Sequence, residues 1–324
     1  MIGRFRTWLG RRRARAAAAP IRAAAATGSA NDWAALVWLR LGELRAEAAK
    51  SRRGRKDDLP LLDALVALLA QNKLVLPPPP DAAELVAAAA DLAAPPARRV
   101  TLARRESELS RALITLANSS SYDTEVPCAG VEQAVLRVGP GGFRSAVLAI
   151  ALRDVVPLPS TDPLRARAEA LWTHARRTAT LARRLAPAFQ ADAEDCFAAA
   201  LMHDFGQLCT LHALAAIARS DGGTPKPSAA LIERLRALHE PLGALAARRW
   251  GLGETVAVAV ARHHRESVPQ GILPVADTVF LADAADRAAE RQVPFDLEDV
   301  VCGHDLAASI EMAADALSEP WWEG

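Results

Sequence analysis

Apolar residues return at helical spacing along most of this chain, and very few stretches alternate in the way a half-buried strand does. Between residues 32 and 50, Leu36, Leu39, Leu41 and Leu44 make an apolar stripe, with Asn31 or Asp32 placed to cap it. A short apolar helix is expected from Leu59 to about Gln71, after a polar, basic hinge from Ser51 to Asp58. Beyond the four prolines Pro77 to Pro80, which cannot continue a helix and mark a stiff boundary, helical patterns alternate with short Pro/Gly turns. They fall at about 81–93, 106–118, 131–137, 140–155, 163–187, 192–208, 228–238, 241–250, 253–265 and 273–290, with a last one near 304–318. No internal repeat of fixed period stands out. The expected fold is all-α, with a basic tail at 1–31, an N-terminal helical extension at 32–73, a main domain at 74–290 and a C-terminal helical tail at 291–324.

Composition strengthens the helical reading. The chain of 324 residues is 51% hydrophobic but only 5% aromatic, and alanine, the best helix former, is abundant. A formal charge of +1 provides no global field for nucleic acid or acidic partners, so any electrostatic function must be local. One local concentration is plain: Arg4, Arg6, Arg11, Arg12, Arg13, Arg15 and Arg22 stand in residues 1–31 without an acid. Such a block is read as a solvated tail or, because Ile2, Phe5, Trp8 and Leu9 share a helical spacing, as an anchor for an anionic membrane or nucleic acid. Cys128, Cys196, Cys209 and Cys302 form no C-x-x-C pair, and a reducing cytoplasm suits them. No charge-free run of 18 apolar residues and no signal-peptide core are found.

The histidines carry the candidate chemistry. Six of the seven lie between positions 174 and 264, several beside carboxylates: His203-Asp204, His239-Glu240 and the pair His263-His264. Imidazoles mixed with a carboxylate suit a divalent ion such as Mn, Fe, Mg or Zn. The apolar run Phe197 to Met202 delivers His203 and Asp204 to a helix end, where Gly206 is read as the residue that lets the backbone bend. The alternative is a capping histidine next to a solvent-facing Asp204.

The surroundings of that pair resemble a known family. Leu201-Met202-His203-Asp204-Phe205-Gly206 is similar to the core motif of the HD superfamily of metal-dependent phosphohydrolases, and Trp172-Thr173-His174 to its upstream histidine. The stretch from His239 through Gly243 and Trp250 to His263-His264 is similar to the closing pattern of the same superfamily. Leu116-Ala117-Asn118-Ser119 and the helix from Val131 to Gly139 resemble the front half of the HDOD branch, and the likeness covers about residues 74–290. It implies a multi-helix HD-like bundle that works as a signalling or regulatory module, through a signalling protein partner or a small ligand. The alternative it implies is a metal-dependent hydrolase of a nucleotide or other phosphate ester. By motif, the metal positions would be His174, His203, Asp204 and Asp283; Asp277 and Asp286 stand near the last, and all three can equally be read as solvated helix positions.

Two departures weigh against catalysis. Gln207 stands where many active relatives carry a lysine that can hold phosphate, and Arg265 to Gly271 contains no Gly-Tyr-Pro, which disfavours cyclic-di-GMP hydrolysis. Of the remaining pocket candidates, His239 is read as an interhelical hydrogen-bonding group in preference to one that orients a ligand. One of His263 and His264 is expected to face the pocket and the other solvent. Trp172 and Trp250 are expected to pack in the core, His212 and His304-Asp305 to lie at the surface or cap helices, and Asn118 to cap its helix or adopt a left-handed conformation.

Overall fold

The computed structural model describes residues 30–50, 58–119, 122, 126–159, 162–220, 227–264, 273–295, 297 and 313–317. The basic segment, the hinge at 51–57, Cys302, His304-Asp305 and most of the expected C-terminal tail lie outside them.

The described residues are helical throughout and contain no strand. In chain order the helices are α1 (Ala30–Lys50), α2 (Leu59–Ala70), α3 (Ala83–Ala90), α4 (Pro96–Arg105), α5 (Ser107–Ala117), α6 (Val131–Val155), α7 (Arg165–Leu185), α8 (Ala193–Met202), α9 (Phe205–Ser220), α10 (Ala229–Leu235), α11 (His239–Arg249), α12 (Glu254–Arg262) and α13 (Pro274–Glu290). Prolines in the first turns of α2, α4 and α13 start these helices, since the first amide has no intrahelical acceptor to lose. Asp192 caps α8 by accepting from the amides of Glu194 and Asp195, at 3.0 and 2.8 Å.

One difference from the sequence reading has a local cause. Helix α4 was not anticipated: its arginine-rich sequence hides the apolar pair Leu102 and Ala103 that it buries. The two helices expected at 131–137 and 140–155 are both present within α6, separated at Gly139, whose φ of 65° and ψ of −170° leave the helical region ahead of Pro140. Asn118 stands at the C-cap of α5 with a φ of −102°, so it is not left-handed. Instead its amide clamps the following loop, donating to the Cys128 carbonyl at 3.0 Å and accepting from the Cys128 amide at 2.7 Å.

Helix α6 has the length and composition to cross a membrane. It is packed inside the protein: Phe143 and Leu148 are buried, and the guanidinium of buried Arg144 meets Asp195 at 2.6 Å. The N-terminal extension belongs to the same apolar core. Helix α1 packs on α11 and α2 on α9, with the Arg248 guanidinium 3.7 Å over the Trp33 ring. Trp250 is buried as expected, donating from Nε1 to the Leu76 carbonyl at 3.0 Å, which seats the segment leading into the prolines.

Helix α8 is held at both ends by polar groups. At its start, the Glu194 carboxylate accepts from Arg183 at 3.0 and 2.8 Å, from Tyr122 at 2.7 Å and from Ser145. Burial would raise the Glu194 pKa, but the charge and hydrogen bonds of Arg183, with Ser145 and Tyr122, hold it below the usual carboxylate range. At its other end stand His203 and Asp204.

Candidate metal centre

Helix α8 ends at Met202 and α9 begins at Phe205, so His203 and Asp204 occupy the joint between two helices, at the helix end expected for them within the 192–208 pattern. The break lets adjacent side chains converge, which the 100° step of an unbroken helix prevents. Gly206 has a different job from the one expected of it. A Cβ there would stand 2.2 Å from the carbonyl oxygen and 2.7 Å from the Cα of His239, so the missing side chain lets the first turns of α9 and α11 meet backbone to backbone.

This approach assembles four imidazoles. His174 comes from α7, His203 from the joint, His239 from the first turn of α11 and His263 from the end of α12; all four are buried. The Nδ1–H of His203 donates to the Ala200 carbonyl at 2.6 Å, that of His263 to the Val260 carbonyl at 2.7 Å and that of His239 to the Arg236 carbonyl. Because a carbonyl can only accept, these bonds fix the tautomer and turn each Nε2 lone pair inward. His174 is held by a carboxylate instead, with Nδ1 2.7 Å from Asp286 Oδ2.

The inward nitrogens are crowded. The Nε2 atoms of His174 and His203 are 3.2 Å apart, and those of His239 and His263 are 3.3 Å apart. Burial lowers the pKa of His239 to about 4 and drives that of His263 well below the ordinary value, so both are neutral with lone pairs facing one another. Burial acts in the same direction on His174, but hydrogen bonds from Asp283 and Asp286 outweigh it and raise its pKa to about 9.

Asp204 and Asp283 complete the cluster. Asp283 Oδ1 lies 2.9 Å from His174 Nε2 and 3.6 Å from His203 Nε2, and Asp204 Oδ2 lies 3.5 Å from His203 Nε2. Against the cost of burial, neighbouring imidazoles and Arg287 hold both carboxyls well below their usual range. Asp277, Asp283 and Asp286 are all buried, which corrects their reading as solvated helix positions. Both His263 and His264 turn toward the cluster, their ring centroids 4.0 Å apart, where the expectation was that one would face solvent. His239 contacts another helix through Nε2, as expected of an interhelical group, but its partner is the His263 ring of the cluster itself.

Gln207 is buried and donates from Nε2 to Asp204 Oδ1 at 2.5 Å, so its amide serves the cluster and not a phosphate. Two arginines escaped the sequence reading. Arg287 donates from Nε to Asp283 Oδ1 at 2.6 Å and from Nη2 to Asp204 Oδ2 at 3.1 Å. Arg177 donates to both oxygens of Asp286, at 2.8 and 2.9 Å, and so braces the acceptor of His174. The signal for Arg287 was the spacing Asp283, Asp286, Arg287, which places all three on one face of α13. His212 is half-buried, away from the surface position expected of it.

The donor set fits a divalent ion. His174, His203 and Asp283 form one group with ligand atoms within 4.8 Å of one another, His203, Asp204 and His263 a second, and His239, His263 and His264 a third. Lone pairs on tautomer-fixed imidazoles that face each other across a buried space are suited to a cation. Access is narrow: the cavity beside Asp204, lined by Leu171, Trp172, Leu201 and Phe205 among others, measures about 10 Å³.

Residues 76–266 match the HDOD domain family. The chain belongs to the HDOD family. The matched stretch ends before α13, so Asp283, Asp286 and Arg287 lie beyond it. Among solved structures similar to this HDOD protein, one from Shewanella amazonensis SB2B, provisionally named a metal-dependent phosphohydrolase, shares 18% identity at a TM-score of 0.59 and covers 81% of this chain and 99% of its own. Another from Marinobacter aquaeolei VT8, provisionally named a signal transduction protein, shares 20% identity at a TM-score of 0.53, covering 91% and 66%. At such identities the likeness shows the HD-like helical fold. An uncharacterized protein of Treponema pallidum (strain Nichols) is 28% identical over 207 residues, 61% of this chain, and this chain spans 39% of that relative's length.

Proposed function

We propose that this HDOD protein is a cytoplasmic regulatory module that signals through contact with a protein partner or a small ligand, with its histidine–aspartate centre as a structural or ligand-responsive core. The observation that carries this reading is the burial of the site, in which His174, His203, Asp204, His263 and Asp283 are each 5% exposed or less. A cavity of about 10 Å³ beside Asp204 has room for one water, whereas a pocket for a small organic ligand occupies roughly 300–1,000 Å³. Gln207 supports the same reading, since its neutral amide is committed to Asp204.

The second reading, a metal-dependent phosphohydrolase, is favoured by the three overlapping donor groups. In it His174, His203, Asp204 and Asp283 would hold a divalent ion such as Mn, Fe, Mg or Zn, with His239, His263 and His264 adjoining. Such an ion supplies Lewis acidity toward a phosphoryl oxygen and a water ionised near neutral pH. The chain's own contribution is to fix the imidazole tautomers and exclude bulk water.

The deciding experiment purifies the full chain without chelator, measures its metal content and assays phosphodiester and nucleotide substrates beside the double variant His203→Ala, Asp204→Ala. No turnover above that variant is expected. Stoichiometric metal together with turnover abolished in the variant would replace the regulatory reading with the hydrolase.

A further inference from the structure

The guanidinium of Arg287 sits on the carboxylate oxygens that complete two of the three donor groups. Its Nε takes Asp283 Oδ1, the oxygen that also lies 2.9 Å from His174 Nε2. Its Nη2 takes Asp204 Oδ2, the oxygen 3.5 Å from His203 Nε2. One planar cation thus bridges from α13 to the α8–α9 joint and binds the two aspartates where an ion shared with His174 and His203 would bind them.

We propose that Arg287 competes with a divalent ion for Asp204 and Asp283, so that metal loading requires the guanidinium to leave.

Two buried carboxylates need positive charge close by, and a fixed guanidinium fork provides it with directed hydrogen bonds. A divalent ion on the same oxygens would face that guanidinium across a few ångströms in a poorly screened interior, where like charges repel strongly. On this ground the two cations compete for the same oxygens. The Arg287 side chain keeps 13% of its surface exposed, so it has a way out that the fully enclosed His203 lacks. Glu290, one turn further along α13 and 53% exposed, is a carboxylate at the surface within reach of that face, held by a 3.8 Å pairing with Arg177. The inference goes beyond the regulatory reading, because the competition would operate equally in a hydrolase.

The alternative is that Arg287 orients the carboxylates for the metal, and the two roles predict opposite signs. The full chain is stripped with chelator, and Mn²⁺ binding is measured by titration calorimetry for wild type, Arg287→Met and Arg287→Lys. Competition predicts binding at least tenfold tighter in Arg287→Met, with Arg287→Lys between it and wild type. Mn²⁺ should also raise the melting temperature of Arg287→Met more than that of wild type. Equal or weaker binding in Arg287→Met, or none in either protein, would overturn the proposal. Should Arg287→Met fold only with Mn²⁺ added, the ion is replacing the missing charge, and the proposal stands. If it folds under neither condition, NMR of arginine-labelled wild type decides: the Arg287 Nε–H resonance, assigned with Arg287→Lys, should move to the position of exposed arginines as Zn²⁺ is added. A resonance that stays in place throughout the Zn²⁺ titration would sink the idea. None of these readouts uses turnover, so a failure here leaves the regulatory reading intact, and the reverse holds too.

Discussion

Replacing Gly206 with alanine sets two effects against each other, and the structure decides the sign. Gly206 lies in the first turn of α9 with ordinary helical geometry, so propensity alone favours alanine by about 1 kcal/mol. The new Cβ, however, would stand 2.2 Å from the His239 carbonyl oxygen, 2.7 Å from its Cα and 2.8 Å from its carbonyl carbon. These are backbone atoms at the start of α11, so no side-chain rotation relieves the overlap. The two helices must separate by about 1 Å to restore ordinary contact. Overpacking of this kind costs typically 1–3 kcal/mol and here falls at its upper end, for a net loss of about 2 kcal/mol after the propensity gain. That corresponds to a fall in melting temperature of roughly 3 °C for a chain of 324 residues. Urea unfolding followed by circular dichroism should show a lower midpoint at unchanged slope. The separation also draws His239 away from His263, so a ring resonance of His239 should shift in NMR spectra. A variant as stable as wild type, or more stable, would refute the claim that backbone contact and not a bend demands glycine.

Three further outcomes are expected. The pKa of His239 is lowered to about 4, so its contribution to stability is full above the unfolded value of about 6.5 and is lost as pH falls toward 4. That of His174 is raised to about 9, so its contribution is full below about 6.5 and is lost as pH rises through 9. Each effect is on the order of a few kcal/mol, and chelator-treated protein should be most stable near pH 6.5, with a flat profile in denaturation experiments between pH 4 and 9 speaking against both. Asp286→Asn keeps an acceptor for His174 Nδ1 but removes one of the two carboxylates that raise its pKa, so NMR titration should find that value below about 9, and an unchanged value would assign the shift to Asp283 alone. Asn118→Ala strips both hydrogen bonds from Cys128 and should cost roughly 1–3 kcal/mol in denaturant unfolding, whereas a neutral result would show the loop to be held by its other contacts.

The helical class and most helix positions were legible because alanine-rich amphipathic stripes and proline punctuation both act locally. His174, His203, Asp204 and Asp283 could be named together from motifs, and the structure brings their ligand atoms into one buried cluster. The partners of these residues were not legible, because charge in a sequence does not reveal burial. Asp286 and Arg287 read like solvated helix positions, and only the packing of α13 against α7 and α8 turns them inward. Helix α4 was missed for the same reason in reverse, since Arg99 in its charged sequence is buried and bonds the Leu92 carbonyl at 2.7 Å. Gly206 was recognised as necessary but assigned the wrong cause, because close approach to a residue 33 positions away leaves no local trace.

The order of the helices along the chain has a consequence for how the centre is made. Imidazoles from α7, the α8–α9 joint, α11 and α12 are all synthesised before α13, which carries Asp283, Asp286 and Arg287 on a single face. A nascent chain that has reached His264 therefore holds Asp204 and its histidines without the opposing carboxylate or the guanidinium that neutralise them. Burial of those groups must await α13, and residues that arrive together on one helix close the centre in one docking step. The same logic applies to any fragment cut at the edge of the HDOD match: ending at residue 266, it would retain the nitrogen donors and Asp204 and lose Asp283, Asp286 and Arg287, leaving an open, histidine-lined surface with affinity for stray metal ions.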